Sequence, residues 1–400
     1  MQLASLRLKK NEDRRLRAGH LWVFSNEVDV AQTPLTGFEP GQPVVIQASN
    51  GSILGNGYVN PHSLICARLI SRDSRYVLDR ALLLQRLSSA LALRARLFDQ
   101  PYYRLVFGEG DGLPGLVVDR FGAVLVVQIT TAGMERVKDE VVSALQEILQ
   151  PQGILLRNDS SSRALEGLES YIETASGSVP EKVLLEENGV TFEAPLLSGQ
   201  KTGWYYDHRL NRARMQRYVK DKSVLDVFSY IGGWGVQAAV AGASEVMCVD
   251  SSQPVLEQLA HNARLNNVDA RVQTRQGDAF DVLKALHAER KKFDVIVLDP
   301  PAFIKRKKDI KQGVQAYRHL NQLALQVLAK DGILISASCS FHLESATLQD
   351  VLLQVSKADR TLQILEQGGQ GPDHPIHPAI PETSYLKAFI TRVTPTNPAL

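Results

Sequence analysis

Four acids and one cysteine recur at one kind of place in the second half of this chain, the end of a short apolar run. Asp226 lies in Val224-Leu225-Asp226-Val227, Asp250 closes the run from Val246, Asp278 follows a run near 271–275, and Asp299 closes a run near 294–298. Cys339 follows a run near 332–337. Carboxylates at such positions can accept hydrogen bonds from ligand hydroxyls and amines, and a thiolate is a nucleophile. Between Asp226 and Gly235 the chain reads Asp-Val-Phe-Ser-Tyr-Ile-Gly-Gly-Trp-Gly, and Asp250 falls 24 residues after Asp226. That is the layout of a nucleoside-binding strand–loop–helix–strand unit. The glycines let backbone approach a ligand, and the acid at the second strand's tip accepts ribose hydroxyls. The spacing is not G-x-G-x-x-G, which disfavours a pyrophosphate dinucleotide. S-adenosylmethionine fits better, having a ribose, no phosphate, and a carboxylate suited to a helix N-terminus. The expected cofactor contacts here are Asp226, Phe228, Ser229, Gly232, Gly233, Gly235, Asp250, Ser251, Asp278 and Ala279, with Asp278 accepting from the adenine amine.

The other two strand ends point to the reaction. Asp299-Pro300-Pro301-Ala302-Phe303 carries two prolines that remove two backbone donors and stiffen the loop, leaving its carbonyls to face a ligand. Cys339 stands between Ser338 and Ser340. Cytosine C5 is a poor nucleophile until a thiolate adds to C6 and turns the ring into an enamine. That chemistry needs a nucleophilic thiol and an acid near N3, a role open to Asp299 either protonated or by orienting N4 and N3. Cys248 lies inside the second strand and Cys66 in an N-terminal module, both as core residues.

The elements that must hold these groups alternate strand and helix from about residue 183. Strands are expected near 223–227, 245–249, 271–275, 294–298 and 332–337, and helices near 234–241, 253–266, 279–287 and 314–329. This is the pattern of a doubly wound parallel α/β sheet, in which ligands gather at the carboxyl ends of the strands. Residues 1–73 read as a small β-rich module of short apolar runs and Gly-rich turns. Within it, Arg14, Arg15 and Arg17 stand beside Trp22 and Phe24, a composition that fits either RNA backbone with a stacked base or a solvated helix end next to core aromatics. Residues 74–182 read as a second unit: a helix from Tyr76 to Phe98, strands at 115–119 and 124–130, and a helix from Met134 to Leu149. The Gly108-Glu109-Gly110-Asp111-Gly112 loop lacks the ligand spacing of a calcium loop and reads as a turn.

Bulk properties set the frame. Four hundred residues, 44% of them hydrophobic, call for two or three domains. Against 43 acidic residues, 45 basic ones leave a net charge of +2, which neither demands nor excludes nucleic acid. Three cysteines without paired spacing argue against a disulfide framework or a zinc ribbon and for a reducing compartment. No apolar signal segment opens the chain and no run approaches the ~20 apolar residues of a membrane span, so a soluble cytoplasmic protein without metal or membrane is expected, as monomer or homodimer.

Taken together, the Asp226–Gly235 loop, the Asp299–Phe303 loop and Ser338-Cys339-Ser340 resemble the bacterial large-subunit ribosomal RNA cytosine-5 methyltransferases, and the similarity extends over the whole chain. The segment Arg14–Phe24 resembles the start of their N-terminal PUA domain, an RNA-binding fold, and 74–182 their small α/β middle domain. Residues 183–400 then correspond to a Rossmann-like class I methyltransferase domain. Gln200-Lys201-Thr202-Gly203-Trp204-Tyr205-Tyr206-Asp207-His208-Arg209 matches the segment before their catalytic sheet, which adds Gln200 and Arg209 to the expected cofactor set. The resemblance implies that Cys339 is the nucleophile, with Asp299 beside it, and that the target is cytosine 1962 of 23S RNA. Unlike typical RNA cytosine-5 enzymes, this chain has no cysteine in its Asp-Pro-Pro loop, so the base that removes the C5 proton has no assignment.

Two basic segments frame the site. Lys305, Arg306, Lys307 and Lys308 follow the Asp-Pro-Pro loop directly, and Arg209, Arg212, Arg214 and Arg217 fall on a helix before the first strand. Holding the phosphates of a flipped-out base would use such charges. The nearest rival is an exocyclic-amine RNA methyltransferase acting on guanine N2 or adenine N6, which needs no thiol. Such enzymes also use an acid or amide before two prolines, but with the aromatic immediately next, whereas here Ala302 intervenes before Phe303. A nicotinamide oxidoreductase is disfavoured by the glycine spacing, and an inactive RNA-binding protein by the intact strand-end set.

Overall fold

The computed structural model describes residues 3–356 and 360–396 and divides the chain into two compact units. The first comprises Met1–Val183, Pro195–Tyr206 and Pro372–Thr383, and the second Leu184–Ala194, Asp207–Gly371 and Ser384–Leu400. The boundary expected at 183 coincides with the end of the first unit's long stretch. The expected boundary at 73 separates two sheets within that unit, and two later stretches return to it.

The first unit begins with strand β1 (Ala4–Arg7), the single-turn helix α1 (Arg14–Arg17), β2 (Trp22–Val23), β3 (Gln42–Gln47), β4 (Ile53–Val59) and β5 (Ala67–Ser71). These five strands form one sheet in the order β1-β3-β4-β5-β2. Every other residue of β3 is buried, the period of a strand with one face on a core of Leu6, Val23, Val44, Ile46, Val59 and Leu69. Helix α2 (Arg80–Leu97) follows, and Asp79 starts it by accepting from Leu82 N at 2.9 Å. That cap explains why the helix begins four residues later than its apolar spacing suggests. Then come β6 (Tyr102–Phe107), β7 (Leu116–Phe121), β8 (Val124–Ile129), helices α3 (Ala132–Arg136) and α4 (Lys138–Leu149), β9 (Gly153–Asn158) and β10 (Tyr171–Gly177). The five strands pair in the order β10-β9-β8-β7-β6, with α2 and α4 packed on the sheet. The single helix expected over 134–149 is broken at Val137, whose backbone leaves the helical region at φ −110°, ψ 26°.

A hairpin of β11 (Lys182–Glu187) and β12 (Val190–Pro195) precedes helix α5 (Arg209–Met215). The second unit's main sheet comprises β13 (Ser223–Val227), β14 (Glu245–Asp250), β15 (Val272–Gln276), β16 (Phe293–Leu298), β17 (Leu328–Ser338), β18 (Arg360–Gly368) and β19 (Lys387–Pro395). Helices α6 (Gly235–Val240), α7 (Gln253–Leu265), α8 (Ala279–Ala288), α9 (Ile310–Val327) and α10 (Ser345–Ser356) connect them. The order is β15-β14-β13-β16-β17-β19-β18. β13 lies inside the sheet between β14 and β16, and four of its five residues are fully buried, as a strand covered by helices on both faces requires. The first five strands are parallel, as expected. The sheet as a whole is mixed, since β19 runs antiparallel to both β17 and β18. The antiparallel pair has a physical cause. Its two members follow α10 and a long connection instead of continuing the alternation, and β18 at the sheet edge shows no apolar periodicity, with most of its residues exposed or half-buried.

Candidate active site

The strand topology reverses direction between β13 and β16, and the loops that follow these strands enclose the crevice where ligands collect in such sheets. Asp226, in the fourth position of β13, is completely buried. Its Oδ2 accepts from the Gly235 N–H at 2.8 Å, which ties the loop and the start of α6 to the strand, while Oδ1 has no partner. Burial pushes this carboxyl up to about 8, and the nearby charges of Asp299 and Asp250 add to the shift against the opposing Gly235 hydrogen bond, so it is neutral at pH 7. Only glycine fits at 235, because a Cβ there would lie 2.3 Å from Cys248 Sγ.

The loop after β13 is bent by two residues in the left-handed region, Phe228 at φ 68° and Tyr230 at φ 48°. Left-handed backbone in non-glycine residues costs energy and collects at binding sites. The Phe228 and Ser229 N–H groups both donate to Val249 O at 3.0 Å, locking the loop against the end of β14. Ser229 Oγ is buried without a partner. Asp250 closes the other side: its two oxygens accept from Tyr230 N and Ser252 N, each at 3.0 Å. Gly232 sits at φ +93° in the same loop, and Gly233 is buried beside it. The unpartnered Asp226 Oδ1 and Ser229 Oγ, the strained turn and the half-buried Asp250 suit a polar nucleoside ligand. Asp278 is the N-cap of α8, accepting from Phe280 N at 2.9 Å and Asp281 N at 3.3 Å, with buried Ala279 after it. One of its oxygens is therefore already committed to the helix. Ser251 is exposed at the turn after β14.

Asp299 belongs to a network that the sequence reading did not foresee. Its Oδ2 accepts from Trp234 Nε1 at 3.0 Å and its Oδ1 faces His208 Nε2 at 3.2 Å. Burial pushes the Asp299 carboxyl up, but the His208 charge and the hydrogen bonds from His208 and Trp234 outweigh it and leave the group below the ordinary carboxylate range. Burial likewise pushes His208 down, and Asp299 and Asp207 outweigh that and raise it. Both shifts run in the direction that favours an ion pair, His208 toward its charged form and Asp299 toward its own. The option of a protonated Asp299 acting as an acid is thereby corrected: two donors hold it ionised, as a hydrogen-bond acceptor. His208 lay inside the recognised segment 200–209 but carried no separate signal, because a lone histidine before a helix looks like any core histidine.

Cys339 follows β17 and is half-buried, with Sγ 4.0 Å from the Pro300 carbonyl oxygen, so the two loops meet at the thiol. The serines on either side turn to Tyr317 of α9: Ser338 Oγ donates to Tyr317 Oη at 2.8 Å, and Tyr317 Oη and Ser340 Oγ are 2.9 Å apart. Ser340 Oγ also accepts from Ile304 N at 3.2 Å, which fixes the far end of the Pro-Pro loop. The other two cysteines are fully buried, and burial pushes both thiols up, Cys66 to about 12 and Cys248 well above the ordinary thiol value.

The remaining expected residues have these surroundings. Gln200 belongs to the first unit, where its Oε1 accepts from Tyr205 Oη at 2.8 Å. Arg209 faces Glu187 at 3.6 Å. The same Glu187 binds Arg212 at 2.6 Å, so Arg212 is a buried ion-pair partner and not part of an exposed basic face. Arg214 and Arg217 both face Glu366. Lys305, Arg306, Lys307 and Lys308 are exposed, with Arg306 bonded to Asp309 at 3.0 Å. In the first unit Arg14 is exposed, Arg17 bonds Asp13, and Arg15 bonds Glu27 while lying 4.8 Å over the Phe24 ring. Trp22 donates its indole N–H to Glu109 at 2.8 Å. Phe24 and Trp22 thus already have partners within this unit.

A seven-stranded sheet of this order with acids at its strand ends defines an S-adenosylmethionine-dependent methyltransferase. The profile of the S-adenosylmethionine-dependent methyltransferase family matches residues 148–392, and that of the PUA-like domain matches residues 6–72. Ribosomal RNA large subunit methyltransferase I of Aliivibrio fischeri (strain MJ11) is 38% identical over 97% of this chain and 99% of its own length. The protein of the same name from Shewanella frigidimarina (strain NCIMB 400) is 37% identical over the same shares. A solved structure described as a methyltransferase complexed with SAH matches with a TM-score of 0.84 at 21% identity, covering 98% of this chain and 100% of that one. The chain belongs to the family of ribosomal RNA large subunit methyltransferase I. Its cofactor is S-adenosylmethionine, as the glycine spacing suggested, and no helix among the described residues is long and apolar enough to cross a membrane.

Proposed function

We propose that this enzyme methylates C5 of a cytosine in 23S ribosomal RNA, cytosine 1962 by the resemblance drawn from its motifs, through a covalent adduct at Cys339. The observation that carries the reading is the half-buried thiol at the end of β17, 4.0 Å from the carbonyl of the Asp-Pro-Pro loop. The names of the full-length relatives supply the substrate class. S-adenosylmethionine, held by the loop Asp226–Gly235 and by Asp250, supplies an electrophilic methyl group. The Cys339 thiolate forms a bond to C6, and the C5=C6 electrons become available at C5. After C5 is methylated, loss of its proton restores the double bond and expels the thiolate. Asp299, kept ionised, accepts from the cytosine N4 amine and holds the ring against Pro300. The base must leave its stack, at a cost of a few kcal/mol that is lowest in loops. Exposed Lys305–Lys308 and the PUA-like module, with Arg14, Arg15 and Arg17 on its surface, hold the surrounding phosphates in this reading.

The test is trapping. RNA carrying 5-fluorocytosine should form a stable adduct on Cys339, because fluorine blocks the loss that frees the thiol. Cys339→Ala should abolish methylation and leave cofactor binding nearly unchanged. An adduct on another residue, or methylation near the wild-type rate in Cys339→Ala, would remove the thiol mechanism and favour transfer to an exocyclic amine.

A further inference from the structure

Lys387, the first residue of β19, is a charged side chain that the reaction scheme above does not use. It is 9% exposed. β19 pairs antiparallel with β17, and Lys387 lies opposite Ser338, the residue before Cys339. Its Nζ donates to Ser340 O at 2.6 Å, the carbonyl just past Cys339, and to Tyr385 O at 2.8 Å. Two of its three N–H groups are therefore fixed on carbonyls, one of them that of the residue directly after Cys339. Among the described residues no carboxylate forms an ion pair with it; neighbouring Asp207 accepts from Tyr385 Oη, and Asp299 faces His208. A buried cation without a counter-charge is expensive, and the cheapest remedies are loss of its proton or an anion nearby.

We propose that Lys387 is a positioning residue whose buried ammonium is the counter-ion of Cys339 and holds it as the thiolate before the target base arrives. The proposal rests on Cys339 being the nucleophile. The thiol gives its proton to solvent and Lys387 keeps its own, so the site changes from a thiol beside an unpaired cation to an ion pair. Burial lowers the Lys387 amine to about 8, while the Cys339 sulfur acts in the opposite direction and favours the charged form, as a partner anion must. From α9, Tyr317 also senses the sulfur charge, but its hydroxyl is held by Ser338 and Ser340 and burial pushes it up, which leaves it neutral. From the β16 loop the uncharged Pro300 carbonyl lies 4.0 Å from the sulfur, and the Asp299 carboxylate faces His208. Lys387 is thus the cation placed to stabilise the thiolate.

The experiment measures the rate of iodoacetamide alkylation against pH on the full chain by intact mass. Cys66 and Cys248 are fully buried and Cys339 is not, so the fast phase reads Cys339. Wild type should titrate below the ~8.5 of a free cysteine. Lys387→Met should raise the midpoint by about one pH unit or more, lowering alkylation at pH 7 about tenfold. Lys387→Arg, which keeps the charge, should restore most of the shift. A Lys387→Met protein that melts normally and keeps the wild-type midpoint overturns the proposal. If Lys387→Met does not fold, NMR titration of the lysine side chain in Cys339→Ala decides. The amine should titrate lower once its anion is gone, and an unchanged midpoint overturns the pairing. A thiol midpoint that tracks Lys387, together with full methylation by Cys339→Ala, would keep the pairing and discard the nucleophile.

Discussion

Replacing Asp299 by Asn removes the charge facing His208 while keeping an oxygen that can accept from Trp234. At 3.2 Å and an effective dielectric constant of ~20, the gross attraction between the two charges is about 5 kcal/mol, part of which desolvation cancels. Breaking one side of a buried pair costs ~3–5 kcal/mol. The Asp299 side chain is 21% exposed, so the lower end, about 3 kcal/mol, is expected at a pH where both partners are charged. The sign follows from the two shifts. His208 is raised, so its contribution is fully present below its unfolded value and is lost as pH rises through the raised folded value. Asp299 is lowered, so its contribution is present above the unfolded carboxylate value and is lost as pH falls through the depressed one. Urea unfolding at pH 5.5 should therefore show the full loss in Asp299→Asn, and the loss should shrink toward pH 9 as pH rises through the raised His208 value. The His208 ring proton, followed by NMR, should titrate lower in the variant, because the carboxylate that favours its charged form is gone. Equal losses at both pH values, or an unmoved His208 titration, would refute the ion pair and reopen the reading of Asp299 as an acid.

Asp250→Ala should weaken S-adenosylmethionine binding by tens-fold or more, because charge-assisted hydrogen bonds to the ribose are worth ~1.5–3 kcal/mol each, and unchanged affinity by calorimetry in a folded variant would count against the assignment. Replacing Lys305, Arg306, Lys307 and Lys308 together by Ala should weaken binding to ribosomal RNA fragments. It should also flatten the dependence on log salt by ~0.7–0.9 for each phosphate that these side chains neutralise in the wild type. An unchanged slope would mark these exposed charges as merely solvated.

The parallel half of the catalytic sheet was legible because β13, β14 and β16 are short apolar runs closed by an acid, and buried parallel strands leave that imprint. The placement of Asp226, Asp250, Asp299 and Cys339 at or near strand ends was legible for the same reason, while their roles remain those proposed above. The antiparallel pair β18–β19 and helix α10 were not, since β18 shows no apolar periodicity and nothing local marks the return of the chain to the sheet. Lys387 was hidden with them. A lysine in Tyr-Leu-Lys-Ala-Phe looks like an exposed edge residue, and only the pairing of β19 with β17 brings it beside Cys339. His208 escaped for a related reason: its partner Asp299 lies 91 residues away, and no spacing along the chain announces such a pair.

Charge is distributed over this site in a way that suits two ligands of opposite sign. The cofactor carries a sulfonium cation and the RNA a polyanionic backbone, so a crevice lined by three fully ionised acids would hold the first and repel the second. Asp226 is neutral at pH 7 because it is buried, and Asp299 is neutralised by His208. That leaves Asp250 as the unpaired acid of the three, placed at the tip of β14, where ribose hydroxyls rather than phosphates are expected. On the side of the Asp-Pro-Pro loop the acids are silenced, Lys387 lies buried beyond the thiol, and the exposed run Lys305–Lys308 begins two residues past Phe303. If the proposed thiol mechanism holds, a base approaching Cys339 passes the exposed run Lys305–Lys308 and meets a thiol with Lys387 as its nearest proposed counter-ion.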